Sequence, residues 1–488
     1  MNNMDTDQKE KLSIRRIIIG RAYDKQAKMN QNSIGRIGHM VEKVVIIGGG
    51  AAGINVLELL LRGRKDPGKM EITLLKKEDE GFFSMCGLPF ALQGMYSTSL
   101  LNLFKPDFYR AKGIDFRTSV EVTDIDLKEN HVLLSSGERI SYDFLVIATG
   151  SLPFIPPIRG AHTEGVYTIG SSTDGKYLEK AINEEELENA LIIGGGLIGL
   201  QTAVAFSKKG ITTRVVEKRP HLLPSLLDGD MASIIKKYLD GDLIVLLGTT
   251  VDAIKGRQHV ESVKVGVDEF PADIVLISAG TLPNVEMSKN AGIEIGESGG
   301  IVTDLSLRVK KGISHLENVY ALGDCVEVID AVTHRPRLSL LASTALIQAR
   351  VVAYNILGEP SFYEPCLSPS VANVLGLQVG SVGATSEIAD KYGIPIKVGR
   401  SVKQTKARFF PGGKAITAKL IFEASGNKLI GAQIISRESV AERINELTLG
   451  IKAGITAKDI WMRERCFDPS LTMVEDVIVD AAINAVKS

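Results

Sequence analysis

Cysteine is scarce in this chain of 488 residues: Cys86, Cys325, Cys366 and Cys466 each stand alone in their stretch. That spacing excludes a disulfide framework and the usual zinc-ligand patterns, and it suits a reducing cytoplasm. An excess of charge of either sign is also missing. A formal net charge of −1 gives no electrostatic footprint for nucleic acid or an acidic membrane surface. No apolar run approaches the roughly 20 residues needed to cross a bilayer, so no membrane partner is expected. Residues 1–40 are polar and carry only the short apolar run Ile17-Ile18-Ile19. That falls short of the roughly 7–15-residue core of a signal peptide. We read 1–40 as an N-terminal extension outside the fold, either a disordered arm or an upstream-start artefact.

Glycine is plentiful, at 48 residues, and the length allows two or three domains with a large core. The first clear element runs from Val41 into Gly48-x-Gly50-x-x-Gly53, and an apolar helix follows over Ile54–Leu61. A continuous apolar strand, a glycine turn and a helix form the dinucleotide-binding fingerprint in its proper context. Gly48 makes the turn, Gly50 lets backbone approach a pyrophosphate, and Gly53 allows close helix–strand packing. The first-turn residues Ala51 and Ala52 then present N–H groups and the positive helix end to negative charge. The next strand, Glu71–Leu75, should end on an acid that binds ribose. It ends instead on Lys76 and Lys77, leaving Glu78 or a water for that contact.

A second copy follows. Asn189–Ile193 leads into Gly194-x-Gly196-x-x-Gly199, with Leu197 and Ile198 in the first helical turn, and the strand Thr213–Val216 ends on Glu217. A carboxylate there accepts ribose hydroxyls and repels a 2′-phosphate, which favours NADH; Lys218 and Arg219 beside it leave NADPH open. Repetition of the motif implies two nucleotide-binding domains. Further strands end in Ala148-Thr149-Gly150, in Ser278-Ala279-Gly280 and in Gly323-Asp324, where such sheets bind ligands. Proline-rich Ser151–Gly160 reads as a crossing linker. A long helix spans Ser339–Leu357, and three prolines then break the pattern between Pro360 and Pro369. Strand-like runs at Val371–Leu375, Ala415–Phe422 and Leu429–Ile435, with helical runs at Ser439–Ala453 and Met473–Val486, read as a separate α+β domain.

One stretch remains: Phe82-Phe83-Ser84-Met85-Cys86-Gly87-Leu88-Pro89-Phe90. Gly87 permits a tight turn, and Pro89 is preset for a first helical turn. A thiol at a helix N-terminus is expected to have a lowered pKa. Taken alone, Cys86 reads as a small buried hydrophobe. The two nucleotide motifs turn that reading toward a redox residue.

Together these motifs resemble the pyridine nucleotide–disulfide oxidoreductase superfamily from about residue 41 to the C-terminus. The Cys86 stretch is similar to its single-cysteine branch, whose motif runs roughly S-F-x-x-C-G-L-P-Y. Phe82 and Phe90 replace the serine and tyrosine. Dithiol members would need a second nearby cysteine and a C-terminal histidine base, and no histidine follows His334. The resemblance implies an α/β fold with two Rossmann-like domains, for FAD and NAD(P)H, plus a C-terminal α+β dimerisation domain. The expected limits are 41–157 and 286–360 for FAD, 158–285 for NAD(P)H, and 366–488 for dimerisation. It implies FAD at Gly48, Gly50, Gly53 and Asp324, and NADH or NADPH at Gly194, Gly196 and Gly199. Lys76, Lys77, Ala148, Thr149, Gly150, Glu217, Gly280 and Gly323 complete the expected cofactor contacts. No metal is implied, and a homodimer or dimer of dimers is.

The branch contains coenzyme A-disulfide reductases, coenzyme A persulfide or polysulfide reductases, and water-forming NADH oxidases. Its implied activity is reduction of a small-molecule sulfur substrate through Cys86. The alternatives are an oxidase or peroxidase cycling Cys86 through sulfenic acid, and a redox-sensing flavoprotein dimer. The coenzyme A-disulfide reductases place tyrosines in the C-terminal domain that reach the partner's site. Phe409 and Phe467 stand at those places, so no phenol is available to protonate a leaving thiolate. That favours a persulfide or polysulfide over coenzyme A disulfide. Arg62, Arg64, Lys65 and Lys69 sit where relatives hold coenzyme A phosphates; as residues alone they equally fit a solvated helix end. Cys325 reads as a packed core thiol, Cys366 as a linker residue, and Cys466 as a candidate resolving thiol across the dimer.

Overall fold

The computed structural model describes residues 41–184 and 186–487. The reading of residues 1–40 lies outside them. Val44–Ile47 are apolar without alternation because they are covered on both faces, as parallel strands must be. Strand Glu42–Ile47 pairs in parallel with Met70–Leu75 on one side and Phe144–Ile147 on the other. The full six-stranded order is Arg308–Lys311, Ser314–Ala321, Phe144–Ile147, Glu42–Ile47, Met70–Leu75, Asp115–Arg117. Helices Ala51–Gly63 and Ala342–Ile356 bury Ile54, Leu57, Leu60, Ala349, Val352 and Ile356 in one cluster over one face. A three-stranded antiparallel sheet, Val122–Asp126, His131–Leu134 and Arg139–Ser141, packs Ile125, Val132 and Leu134 with Val45, Ile47 and Leu145.

The second copy repeats this plan. A five-stranded parallel sheet runs in the order Val166–Thr168, Ile274–Ile277, Asn189–Ile193, Thr212–Glu217, Ile244–Leu247, and a second antiparallel triplet spans Ala253–Pro271. The crossing linker is itself ordered. Ser151–Pro153 pairs antiparallel with Thr281–Pro283, so the chain enters and leaves the second unit as a two-stranded ribbon. Thr149 Oγ1 donates to the Asn284 carbonyl at 2.6 Å and closes the base of that ribbon.

The C-terminal α+β domain is a five-stranded antiparallel sheet, ordered Ser370–Val374, Leu377–Gly383, Leu429–Ser436, Ala415–Glu423, Ile396–Gln404. Two of these strands are masked in the sequence by glycine. At Gly380 a Cβ would lie 2.6 Å from Ile444, and at Gly399 one would lie 1.8 Å from the Ala481 carbonyl. Helices Ala441–Ala453 and Val477–Lys487 approach so closely there that only glycine fits. The second helix begins at a buried ion pair: Arg443 Nη2 meets Asp476 Oδ2 at 2.5 Å. Arg465 Nη2 meets Glu446 Oε1 at 2.6 Å in the preceding segment, which carries Cys466 and Phe467. Burial pushes the Asp476 carboxyl up, but the Arg443 guanidinium and the Ile478 N–H outweigh it and hold it low.

An ion pair broken on one side leaves a buried charge, so Arg443→Met should cost about 3–5 kcal/mol, read by urea denaturation. Because the Asp476 pKa is depressed on folding, its contribution is present at neutral pH. It is lost as pH falls below about 4 through the folded value. A urea midpoint unchanged in Arg443→Met would contradict this.

Candidate active site

The first glycine turn is fixed by crowding. Gly48 adopts φ +104°, and a Cβ there would sit 2.1 Å from the Ala148 carbonyl oxygen. At Gly53 a Cβ would meet the Gly48 oxygen at 1.9 Å, so the helix seats directly on the turn. Gly50, the helix N-cap, has open space where its side chain would be. No side chain caps this helix and no acid occupies its first turn, so its N–H groups stay available to an anion. Gly323-Asp324 arrives at the same helix end, with a Gly323 Cβ position 2.9 Å from Ala52. The Gly323 N–H donates to Gln348 Oε1 at 2.8 Å, and Gln348 Nε2 is buried without a partner. Asp324 accepts from Ser151 Oγ at 3.1 Å, and burial pushes its carboxyl above the ordinary value. Gly150, at φ +69°, is likewise open above its Cα. An uncapped helix end, an open cradle and an orphaned amide fit the pyrophosphate and polyol of FAD.

Lys76, in place of the usual acid, is buried; its stem lies 2.8 Å from a Gly49 Cβ position, and its ammonium meets Glu78 Oε2 at 3.0 Å. Burial pushes Glu78 up, and the Lys76 charge more than reverses it. Thus Lys76 links the glycine turn to an ionised carboxylate two residues on. Lys77 points elsewhere, into an exposed pair with Glu121 at 2.7 Å.

The second turn has the same geometry. Gly194 has φ +114° with a Cβ position 2.4 Å from the Ser278 oxygen, Gly199 packs on Gly194, and Gly196 is open. Leu197 begins the uncapped helix Leu197–Lys208, and Ile198 is partly exposed in its first turn. Glu217 is buried. Its two oxygens accept from the Gly195 and Arg219 N–H groups, each at 2.7 Å. An ionised carboxylate has about four acceptor sites, so two remain for ribose hydroxyls. Lys218 and Arg219 are exposed beside it. Gly280, at φ +109°, is open across the crevice.

Cys86 lies on a single 3-10 turn, Met85–Gly87, ahead of the five-residue helix Leu88–Leu92. Gly87 closes that tight turn, its N–H donating to the Ser84 carbonyl at 3.1 Å, but its ordinary helical dihedrals do not by themselves require glycine. Space requires it instead: a Cβ would sit 2.4 Å from Leu101 and 3.0 Å from the Tyr96 hydroxyl, which donates to the Gly87 carbonyl at 2.9 Å. Leu88 and Leu92 are buried in the core of the second nucleotide unit with Leu178 and Ala203. The thiol itself reaches the surface. Its expected low pKa is corrected. The surrounding walls desolvate the thiolate, the Asp324 carboxylate opposes it, and together they outweigh the local N–H and raise the thiol. The fold thereby places Asp324 within electrostatic reach of Cys86.

Arg62 and Arg64 line one cavity of about 560 Å³ with Glu58, Leu61, Pro67, Phe108 and Lys112. Lys65 and Lys69 are exposed outside it. Lys112 and Phe108 escaped the sequence reading because they lie more than forty positions along the chain. They are nonetheless tied to the thiol loop. Phe82–Phe83 pairs with Asn102–Leu103, Phe82 packs on Phe104 at 5.9 Å, and helix Pro106–Arg110 follows. Phe409 and Phe467 are both exposed, at 81% and 48%, and their segments are joined by the Ala407 N–H donating to the Pro469 carbonyl at 3.2 Å. Cys466 is exposed beside Phe467. Cys325 is fully buried and bonded to the Leu322 carbonyl, as a core thiol should be. Cys366 is no idle linker residue. It is buried among the Ser339, Thr344 and Ser368 hydroxyls.

The family described as pyridine nucleotide-disulphide oxidoreductase matches residues 42–345, and its dimerisation domain matches 369–477. An NADH oxidase of Methanocaldococcus jannaschii is 35% identical over 452 residues, covering 91% of this chain and 99% of that one. An NAD(P)H coenzyme A polysulfide/persulfide reductase of Pyrococcus horikoshii is 28% identical over 443 residues, covering 90% and 98%. Among solved structures, an NAD-dependent persulfide reductase from A. fulgidus superposes with TM-score 0.87 at 29% identity, covering 91% and 83%. Among the described residues, no helix is long and apolar enough to cross a membrane.

The charge facing Cys86 gives a direct check. Asp324→Asn should shift the pH profile of Cys86 alkylation in flavin-free protein toward lower pH, because the opposing carboxylate is gone. An unmoved profile would show that Asp324 does not act on the thiol.

Proposed function

Because the chain belongs to the pyridine nucleotide-disulphide oxidoreductase family and is a flavin-dependent NAD(P)H oxidoreductase, we propose that it reduces a persulfide or polysulfide borne on coenzyme A, through Cys86. In this reading residues 41–157 with 286–360 hold FAD, 158–285 hold NAD(P)H, and 366–488 form a homodimer. The observation that carries it is the basic cavity at Arg62, Arg64 and Lys112. A carrier with several phosphates uses such a cavity, whereas dioxygen has no use for one. The Arg62–Glu58 pair is exposed on the arginine side, at 3.3 Å, and such pairs contribute about 1 kcal/mol or less. A phosphate can therefore draw Arg62 away cheaply.

The Cys86 thiolate attacks the inner sulfur of R–S–SH, forming Cys86–S–S–R and releasing hydrosulfide. Hydrosulfide is a weaker base than an alkyl thiolate and departs without an acid, which suits the phenylalanines at 409 and 467. The chemistry supplied by bound FAD is the relay of two electrons from NAD(P)H to that mixed disulfide, restoring the Cys86 thiolate and freeing R–S⁻. In sum, R–S–SH, NAD(P)H and a proton become R–SH, hydrogen sulfide and NAD(P)⁺. A second reading, an NADH oxidase with Cys86 as sulfenate, is favoured by the name of the M. jannaschii relative.

Turnover with coenzyme A persulfide should exceed that with coenzyme A disulfide, and oxygen uptake without a sulfur substrate should be slow. Rapid oxygen uptake would select the second reading. Arg62→Ala with Arg64→Ala should weaken coenzyme A affinity about tenfold or more while FAD content is unchanged. Unchanged affinity would remove the cavity from the site. Cys86→Ser should abolish sulfide release yet leave flavin reduction by NADH intact; sustained sulfide release by that variant would exclude Cys86 as the nucleophile.

A further inference from the structure

The segment after Glu217 does not follow the surface to the next helix. It turns inward to touch both the second glycine turn and the C-terminal domain. The Leu223 N–H donates to the Gly195 carbonyl at 2.9 Å, next to the N–H that Glu217 accepts. Leu223 does this in a left-handed conformation, φ +52°, while wholly buried. A bulky residue holds that conformation only where its surroundings over-determine it. Leu222 reinforces the contact, with its side chain 2.8 Å from a Gly195 Cβ position.

On the other side the same segment is fastened to the C-terminal domain. His221 Nε2 meets Glu387 Oε1 at 2.7 Å, and its Nδ1 is 3.0 Å from the Leu222 carbonyl. Asp228 is buried and surrounded by C-terminal groups. Ser386 Oγ and Gln433 Nε2 each donate to it at 2.8 Å, Lys419 Nζ meets it at 2.9 Å, and its own N–H donates to Gln433 Oε1 at 3.0 Å. Lys419 also meets Asp230 at 2.8 Å. Burial pushes the Asp228 carboxyl up, and Lys419 with Ser386 more than reverses the shift, which keeps Asp228 a paired carboxylate.

We propose that the C-terminal domain sets the geometry of the NAD(P)H site by clamping 221–230, with His221–Glu387 and Asp228–Gln433–Lys419 as positioning pairs. Through Leu222 and Leu223 the clamp fixes Gly195, and through Gly195 it fixes the glycine turn and Glu217. The inference rests on the second glycine turn binding NAD(P)H. Small displacements of a binding turn cost large factors in rate or affinity, so losing one clamp pair should be read in NADH and not in the flavin.

The test uses the full-length FAD-loaded enzyme. Glu387→Ala, and separately Gln433→Ala, should raise the NADH KM about tenfold, with kcat at saturating NADH and FAD content near wild type. Glu387→Gln, whose amide can still hydrogen-bond His221 Nε2, should restore the wild-type KM. If Gln433→Ala fails to fold, Glu387→Ala at the rim of the cluster decides. A fall in thermal midpoint with an unchanged NADH KM overturns the proposal, since it makes the cluster structural only. Gly196→Val, which fills the open cradle, is the control. If it leaves the NADH KM unchanged, the assignment of the second turn fails and the clamp fails with it; if it raises KM while Glu387→Ala does not, only the clamp is overturned.

Discussion

Leu88 is the residue on which the site turns. It has no exposed surface, and its methyl groups lie 3.0 Å from the Cβ position of Gly175 in the helix Ser172–Glu184. That contact docks the short helix behind Cys86 onto the second nucleotide unit, although the thiol loop belongs to the first. Burying a leucine contributes about 1.5–3 kcal/mol, and Leu92 adds to the same core. The thiol is therefore held at the seam between two cofactor folds by apolar packing and not by its own short backbone turn. Lys176 with buried Glu80, at 3.2 Å, strengthens the same seam.

Charge around the thiol works against the thiolate. A helix of five residues has little dipole to offer, whereas desolvation and the Asp324 carboxyl both oppose the thiolate. The carboxyl that arrives at the first glycine turn thus also opposes ionisation of the thiol. At the same glycine turn, Lys76 answers a missing charge by a different route. It replaces a strand-end carboxylate, yet it brings one back through Glu78.

Much of this was legible in the sequence because it depends on local sterics. Two apolar strands running into glycine turns can hardly be anything else, and Gly48, Gly53, Gly194 and Gly199 are each demanded by a carbonyl that a side chain would strike. What the sequence concealed depends on contacts distant along the chain. Gly87 reads as a turn residue and is one, but the crowding by Leu101 and Tyr96 that demands glycine there is invisible along the chain. Strands Leu377–Gly383 and Ile396–Gln404 hid behind glycines that serve neighbouring helices. The basic cavity needed Lys112 and Phe108 beside Arg62 and Arg64, and no periodicity joins those positions. Cys86 itself could be singled out, but its electrostatic surroundings could not, since Asp324 lies far along the chain.

The paired crossing strands Ser151–Pro153 and Thr281–Pro283 have a consequence for how the molecule is made. The second nucleotide unit is an insertion within the first. When the ribosome has released Phe144–Ile147, that strand still lacks its neighbour Ser314–Ala321 and presents a bare sheet edge. The whole inserted unit must emerge before the edge is covered and before Gly323-Asp324 reaches the first glycine turn. The sheet that carries the first glycine turn is therefore completed late in the life of the nascent chain. The ribbon, by bringing entry and exit side by side, is what lets the interrupted sheet wait for its missing strand.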